Sequence, residues 1–128
     1  MANLYTHTTT DEAMRDKVGY PTGTGGAVVQ QTSKTTGVTL NKLCGKITMN
    51  GAALAAGAEV AFTLTNSEIG PTDAVIVNIQ SVGTPGAYLV SVGAIAQGSC
   101  SITISNASAG SLSQAIVLNF VVVKAAAS

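Results

Sequence analysis

The residues that could carry chemistry in this chain are few and scattered. Three acids, Glu59, Glu68 and Asp73, lie within one stretch, and two carboxylates held a few ångströms apart can hydrolyse a glycosidic bond. Glu59, however, opens a strand-like segment, whereas Glu68 and Asp73 share a turn, where charge mainly solvates the loop tip. His7 is the single imidazole and stands among threonines. Three copies meeting on a trimer axis could hold a metal, yet one histidine and two cysteines make no metal signature. No nucleophile is matched with a base, so the expectation is a protein without catalytic activity, cofactor or metal.

Two short motifs have plain readings. Gly23-Thr24-Gly25-Gly26 superficially resembles a phosphate-binding loop, but lacks the Gly-Lys-Ser/Thr ending and precedes a strand. It reads as a linker. Asn106-Ala107-Ser108 matches the glycosylation sequon, but nothing indicates secretion, and with the nearby Gly110 it reads as a turn. Cys44 and Cys100 fall in separate strand-like segments. Cys100 shares the parity of Ile102 and Ile104, and Cys44 that of Lys46 and Thr48. Free thiols are the expectation, because a bridge is unusual in a reducing compartment.

The balance of the 128 residues narrows the classes further. The net charge is zero, 9% of residues are charged and 46% are hydrophobic. No basic surface exists to neutralise phosphates, and the rings Tyr5, Tyr20, Phe62, Tyr88 and Phe120 are dispersed, which argues against nucleic acid as a partner. No basic segment precedes an apolar core at the N-terminus, and the apolar run Phe120 to Val123 is far short of a membrane span. Synthesis and folding in a cytoplasm, with no membrane partner, is the expectation.

The elements that must position these residues are strands. Segments 27–32, 38–49 (broken near Cys44-Gly45), 58–65, 74–80, 87–96, 99–105 and 115–123 read as extended, separated by turn residues such as Asn50-Gly51 and Gly83-Thr84-Pro85-Gly86. Roughly six to eight short strands predict an all-β, antiparallel β-sandwich of immunoglobulin-like or jelly-roll connectivity. Residues 1–34 read differently, as an N-terminal arm and linker ahead of a sandwich over 35–128. Thr9-Thr10-Asp11-Glu12 fits a capping box, and Tyr20-Pro21 blocks continuation past Gly19, giving a helix of about two turns. Its apolar residues Ala13, Met14 and Val18 need a surface to dock on.

The last segment is the most informative. Side chains alternate along a strand, so Ile116, Leu118, Phe120 and Val122 share one face, and Val117, Asn119, Val121 and Val123 the other. Both faces are largely apolar, whereas an antiparallel sheet usually wets one of them. Val117, Val121 and Val123 are therefore expected at a subunit interface.

Several segments together are similar to a known module. Val38-Thr39-Leu40-Asn41, Cys44-Gly45-Lys46-Ile47-Thr48-Met49-Asn50, Ala53-Leu54-Ala55-Ala56-Gly57 and Phe62-Thr63-Leu64-Thr65-Asn66-Ser67 occur in that order. Asp73-Ala74-Val75-Ile76-Val77-Asn78, Gly86-Ala87-Tyr88 and Ala109-Gly110-Ser111-Leu112-Ser113 come next along the chain. The series, over roughly residues 28 to 124, resembles a β-sandwich module of tailed-bacteriophage virion proteins. The resemblance implies a structural role on the virion, in capsid decoration (cement) proteins or at the ends of head or tail fibres, commonly as trimers. For a chain without a fibrous stalk, it implies a homotrimer on the capsid exterior that binds the major capsid protein. Leu4, Tyr5, Met14, Val18 and Tyr20 are the arm residues expected to touch the capsid. The alternative, a fibre module binding a host-surface receptor, would use Tyr88 and the loops at 66–73 and 81–86.

Overall fold

The computed structural model describes residues 18–127. Among them eight strands form: β1 (Gly25–Val29), β2 (Val38–Thr39), β3 (Cys44–Thr48), β4 (Glu59–Thr65), β5 (Ala74–Ser81), β6 (Tyr88–Ala96), β7 (Ser99–Asn106) and β8 (Val117–Val123). They make two four-stranded sheets, β1-β3-β8-β5 (sheet A) and β2-β4-β7-β6 (sheet B). Pairing is antiparallel except for β1 with β3 and β2 with β4, which run parallel.

The core lies between the sheets and obeys the period-2 pattern. Ile47, Leu118, Phe120 and Val122 from sheet A meet Phe62, Leu64, Cys100, Ile102 and Ile104 from sheet B, all buried. Burying apolar side chains of this size stabilises the fold by about 1.5–3 kcal/mol each. The break expected near Cys44-Gly45 falls instead at 40–43, between β2 and β3, and Gly45 inside β3 shows how tightly the sheet is built. A Cβ there would lie 2.7 Å from both the Gly26 carbonyl oxygen and Leu40 Cδ2, so a larger residue would force the strands apart.

The connectivity differs from the immunoglobulin order, in which the last strand joins the smaller sheet. Here β8 sits between β3 and β5. Strands β5 to β8 form a Greek key wrapped around one side of the sandwich: β8 pairs with β5, β5 packs on β6, and β6 pairs with β7.

The sandwich also begins earlier than residue 35. Gly25 and Gly26, linker-like in sequence, pair with Cys44 and Gly45 as the start of β1. Lys34, expected in the arm, is 4% exposed. Its ammonium donates to the carbonyls of Asn50 and Gln114, and burial pushes it below the usual lysine range. The buried Gln30 amide donates to the Lys34 and Thr36 carbonyls and accepts from Asn50 N–H. Residues 25–34 thus pair and pack with the sandwich, which the sequence does not reveal because each of these partners is distant in sequence or is a backbone atom without sequence identity.

The strand directions create two ends. Loops 30–37, 49–58, 82–87 and 107–116 gather at one end around Lys34, and loops 40–43, 66–73 and 97–98 gather at the other with the 18–24 and 124–127 segments. At this second end the Lys124 ammonium pairs with the Asp73 carboxylate, which also accepts from Gly70 N–H at 2.7 Å and Ala125 N–H at 3.1 Å. Lys124, then the Gly70 amide, hold the Asp73 carboxyl below the usual carboxylate range.

A depressed native pKa means that the unfolded chain takes up the proton first as pH falls. The contribution of Asp73 is therefore fully present above about pH 4 and is lost as pH drops through its native value. Urea midpoints measured from about pH 5 down to pH 2 are expected to fall less steeply for Asp73→Asn than for the parent chain.

Candidate functional site

The outer faces of the two sheets differ in kind. Sheet B presents Thr63, Thr65, Ser99, Ser101, Thr103 and Ser105, hydroxyl residues suited to water. Sheet A presents rows set by its register, because opposed residues share a face. One row holds Cys44, Val121 and Ile76, the next Lys46, Asn119 and Asn78, and the next Thr48 and Val117. Beyond Val121, at the second end, Val123 opposes Ala74.

Val117, Val121 and Val123 thus share the outer face, but they do not form one patch. The polar row of Lys46, Asn119 and Asn78 separates Val117 from Val121, about 13 Å apart along the strand. The apolar ground is concentrated at the second end, where the described chain begins. Val18 is 97% exposed, Ile76 50%, Val123 42% and Tyr20 38%. Val18, Gly19, Tyr20, Val121 and Val123 line a shallow, almost wholly apolar groove. The Tyr20 hydroxyl donates to the Val122 carbonyl at 2.6 Å and fastens this wall to β8.

Tyr20 is therefore part of the sandwich's cover, and Val18 stands at its margin. Leu4, Tyr5, His7 and Met14 lie outside the described residues, as does the capping box. Sequence reasoning misses Ile76. Its parity in β5 marks it as outward-facing, but only the β5–β8 pairing puts it beside Val121.

The other candidates are not brought together. Glu59 is at the first end, and Glu68 and Asp73 are at the second. Tyr88 is buried, with its hydroxyl donating to Gln114 Oε1 at 3.0 Å and burial raising it above the usual tyrosine range. Loops 66–73 and 81–86 stand at opposite ends, so the receptor-binding alternative loses its aromatic and its single loop cluster. Asn106 is fully buried and its amide nitrogen donates to the carbonyls of Leu54 and Gly110, so the sequon serves as a turn.

Both cysteines are free, with Cys44 half-buried on the outer face and Cys100 in the core. Burial pushes the Cys100 thiol up to about 11. At pH 8 iodoacetamide is expected to modify one thiol per native chain, Cys44, and two in denaturant, as counted by mass spectrometry. Among the described residues no group of three potential metal ligands occurs, and every buried polar side-chain atom has a partner. The groove at the second end offers apolar surface contact.

No family model, curated protein or solved structure matches this chain.

Proposed function

We propose that the chain is a structural virion protein of a tailed bacteriophage, a homotrimeric capsid decoration (cement) protein made in the bacterial cytoplasm. Its subunits pack through the outer face of sheet A, and its N-terminal arm binds the major capsid protein on the head exterior. The observation that carries this reading is the concentration of exposed Val18, Tyr20, Ile76 and Val123 on one sheet face. Exposed apolar ground of this kind marks protein–protein contact. The order of sequence segments shared with the phage module supplies the virion context. Stabilisation arises by linkage, because a protein that binds the closed shell and not the opened one shifts the equilibrium toward the shell. Three arms per trimer raise the affinity further through effective concentration.

Two measurements test the reading. Light scattering on a sizing column is expected to give three times the 12.7 kDa chain mass as protein concentration rises. Co-sedimentation with phage heads lacking the protein is expected to saturate. A chain that stays at the single mass at every concentration and leaves the heads unbound would overturn it.

A further inference from the structure

The sheets end on β1 and β5 in sheet A and on β2 and β6 in sheet B, and an edge strand offers unpaired N–H and C=O groups to any other extended chain. Short length, bulges, charge and proline are the usual guards against that. β2 is only two residues long. β6 breaks its register with β7 between Gly93 and Ala96, with Ala94 at φ 50°, and β5 breaks its register with β8 between Ile79 and Ser81. β1 carries none of these devices. Gly25–Val29 keeps an unbroken register with β3 over five residues and contains no charged residue or proline.

The ladder decides which backbone groups this edge presents. Gln30 N–H donates to the Thr48 carbonyl, so Gly26 and Val28, which share its parity, turn their backbone groups toward β3. Gly25, Ala27 and Val29 turn theirs to the side where sheet A ends, and all three are exposed. The Val29 carbonyl accepts the Gln31 side-chain amide at 3.2 Å and keeps a second lone pair.

We propose that β1 pairs antiparallel with β1 of a second copy, about a two-fold axis through Ala27. Ala27 then opposes its own counterpart, and Gly25 opposes the partner's Val29. Each opposed pair exchanges two N–H···O=C bonds, and the two four-stranded sheets become one continuous sheet. A second copy is favoured over another extended chain because the edge is complementary to itself. One closed, isologous contact uses the open groups of both strands, no like charges are opposed, and the valine meets a glycine. The contact lies on the rim of sheet A farthest from Ile76 on β5, so it does not rest on the trimer proposed above. A rim of five residues buries little surface, which makes the pairing weak in dilute protein and suited to covalent trapping.

The test uses the full chain carrying Cys44→Ser, in a glutathione redox buffer, with Cys100 buried in the core. Opposed Cα atoms of a hydrogen-bonded antiparallel pair lie about 5.5 Å apart, within disulfide reach. Like residues at position 29 stand about 14 Å apart across the axis, beyond that reach. Ala27→Cys is therefore expected to form a covalent dimer at least about tenfold faster than Val29→Cys. Adding Val29→Pro to the Ala27→Cys chain removes an N–H that β3 does not use, and is expected to slow trapping about tenfold. Equal rates for the two cysteine variants would overturn the proposal, as would faster trapping of Val29→Cys. Repeating both rates with Val121→Asp separates this contact from the trimer, whose loss light scattering reports. The Ala27→Cys preference is expected to survive there; its disappearance would make the edge contact a by-product of face packing and overturn the proposal.

Discussion

Asn106→Ala is expected to destabilise the sandwich by about 3 kcal/mol, with the urea midpoint shifted and the slope unchanged. The Asn106 amide nitrogen donates to the Leu54 carbonyl at 2.8 Å and the Gly110 carbonyl at 2.9 Å. Its oxygen accepts from Ser108 N–H at 2.9 Å and from the Ser108 hydroxyl at 2.7 Å. Truncation removes four hydrogen bonds worth about 0.5–1.5 kcal/mol each, while the Leu54 carbonyl keeps Leu112 N–H and the Gly110 carbonyl keeps the Ser108 hydroxyl, and water reaching the end of the sandwich recovers part of the loss. The loss extends beyond one side chain because Asn106 ties the 49–58 loop to the 107–116 loop, where Leu54 and Leu112 also form a bridge. A shift below about 1 kcal/mol would mean that water replaces the amide fully.

Val121→Asp is expected to abolish the proposed trimer while leaving the subunit folded. Val121 points away from the core, between Cys44 and Ile76 and against the Tyr20 wall. The change forfeits about 2 kcal/mol of burial at each contact and adds at least about 2 kcal/mol for a carboxylate placed among apolar groups. Together these weaken each contact roughly a thousandfold. Val117→Asp, beyond the polar row, is expected to do much less. The reverse ranking in light scattering, with circular dichroism unchanged for both variants, would move the interface to the first end and away from the groove.

Much of this architecture could be read locally. The strands at 59–65, 74–81, 88–96, 99–106 and 117–123 agree closely with segments marked by alternation and bounded by turn residues. The inward set Leu118, Phe120 and Val122, and the opposite parities of Cys44 and Cys100, were legible for the same reason. The two-strand edge was harder. Gly25-Gly26 looks like a linker because glycine carries no periodic signal, and it becomes a strand only through close approach to β3. Lys34 looks solvated until the carbonyls of Asn50 and Gln114, one of them from a loop 80 residues away, converge on its ammonium.

By itself the sequence determined the class, an all-β sandwich, and which side chains of each strand turn inward, because a period of two is a property of the extended backbone. The tertiary structure alone decided the strand order, the polar row dividing the valines and the meeting of Ile76, Val121 and Tyr20. Those depend on register between strands far apart in the chain, and a one-residue slip would send every side chain of a strand to the opposite face.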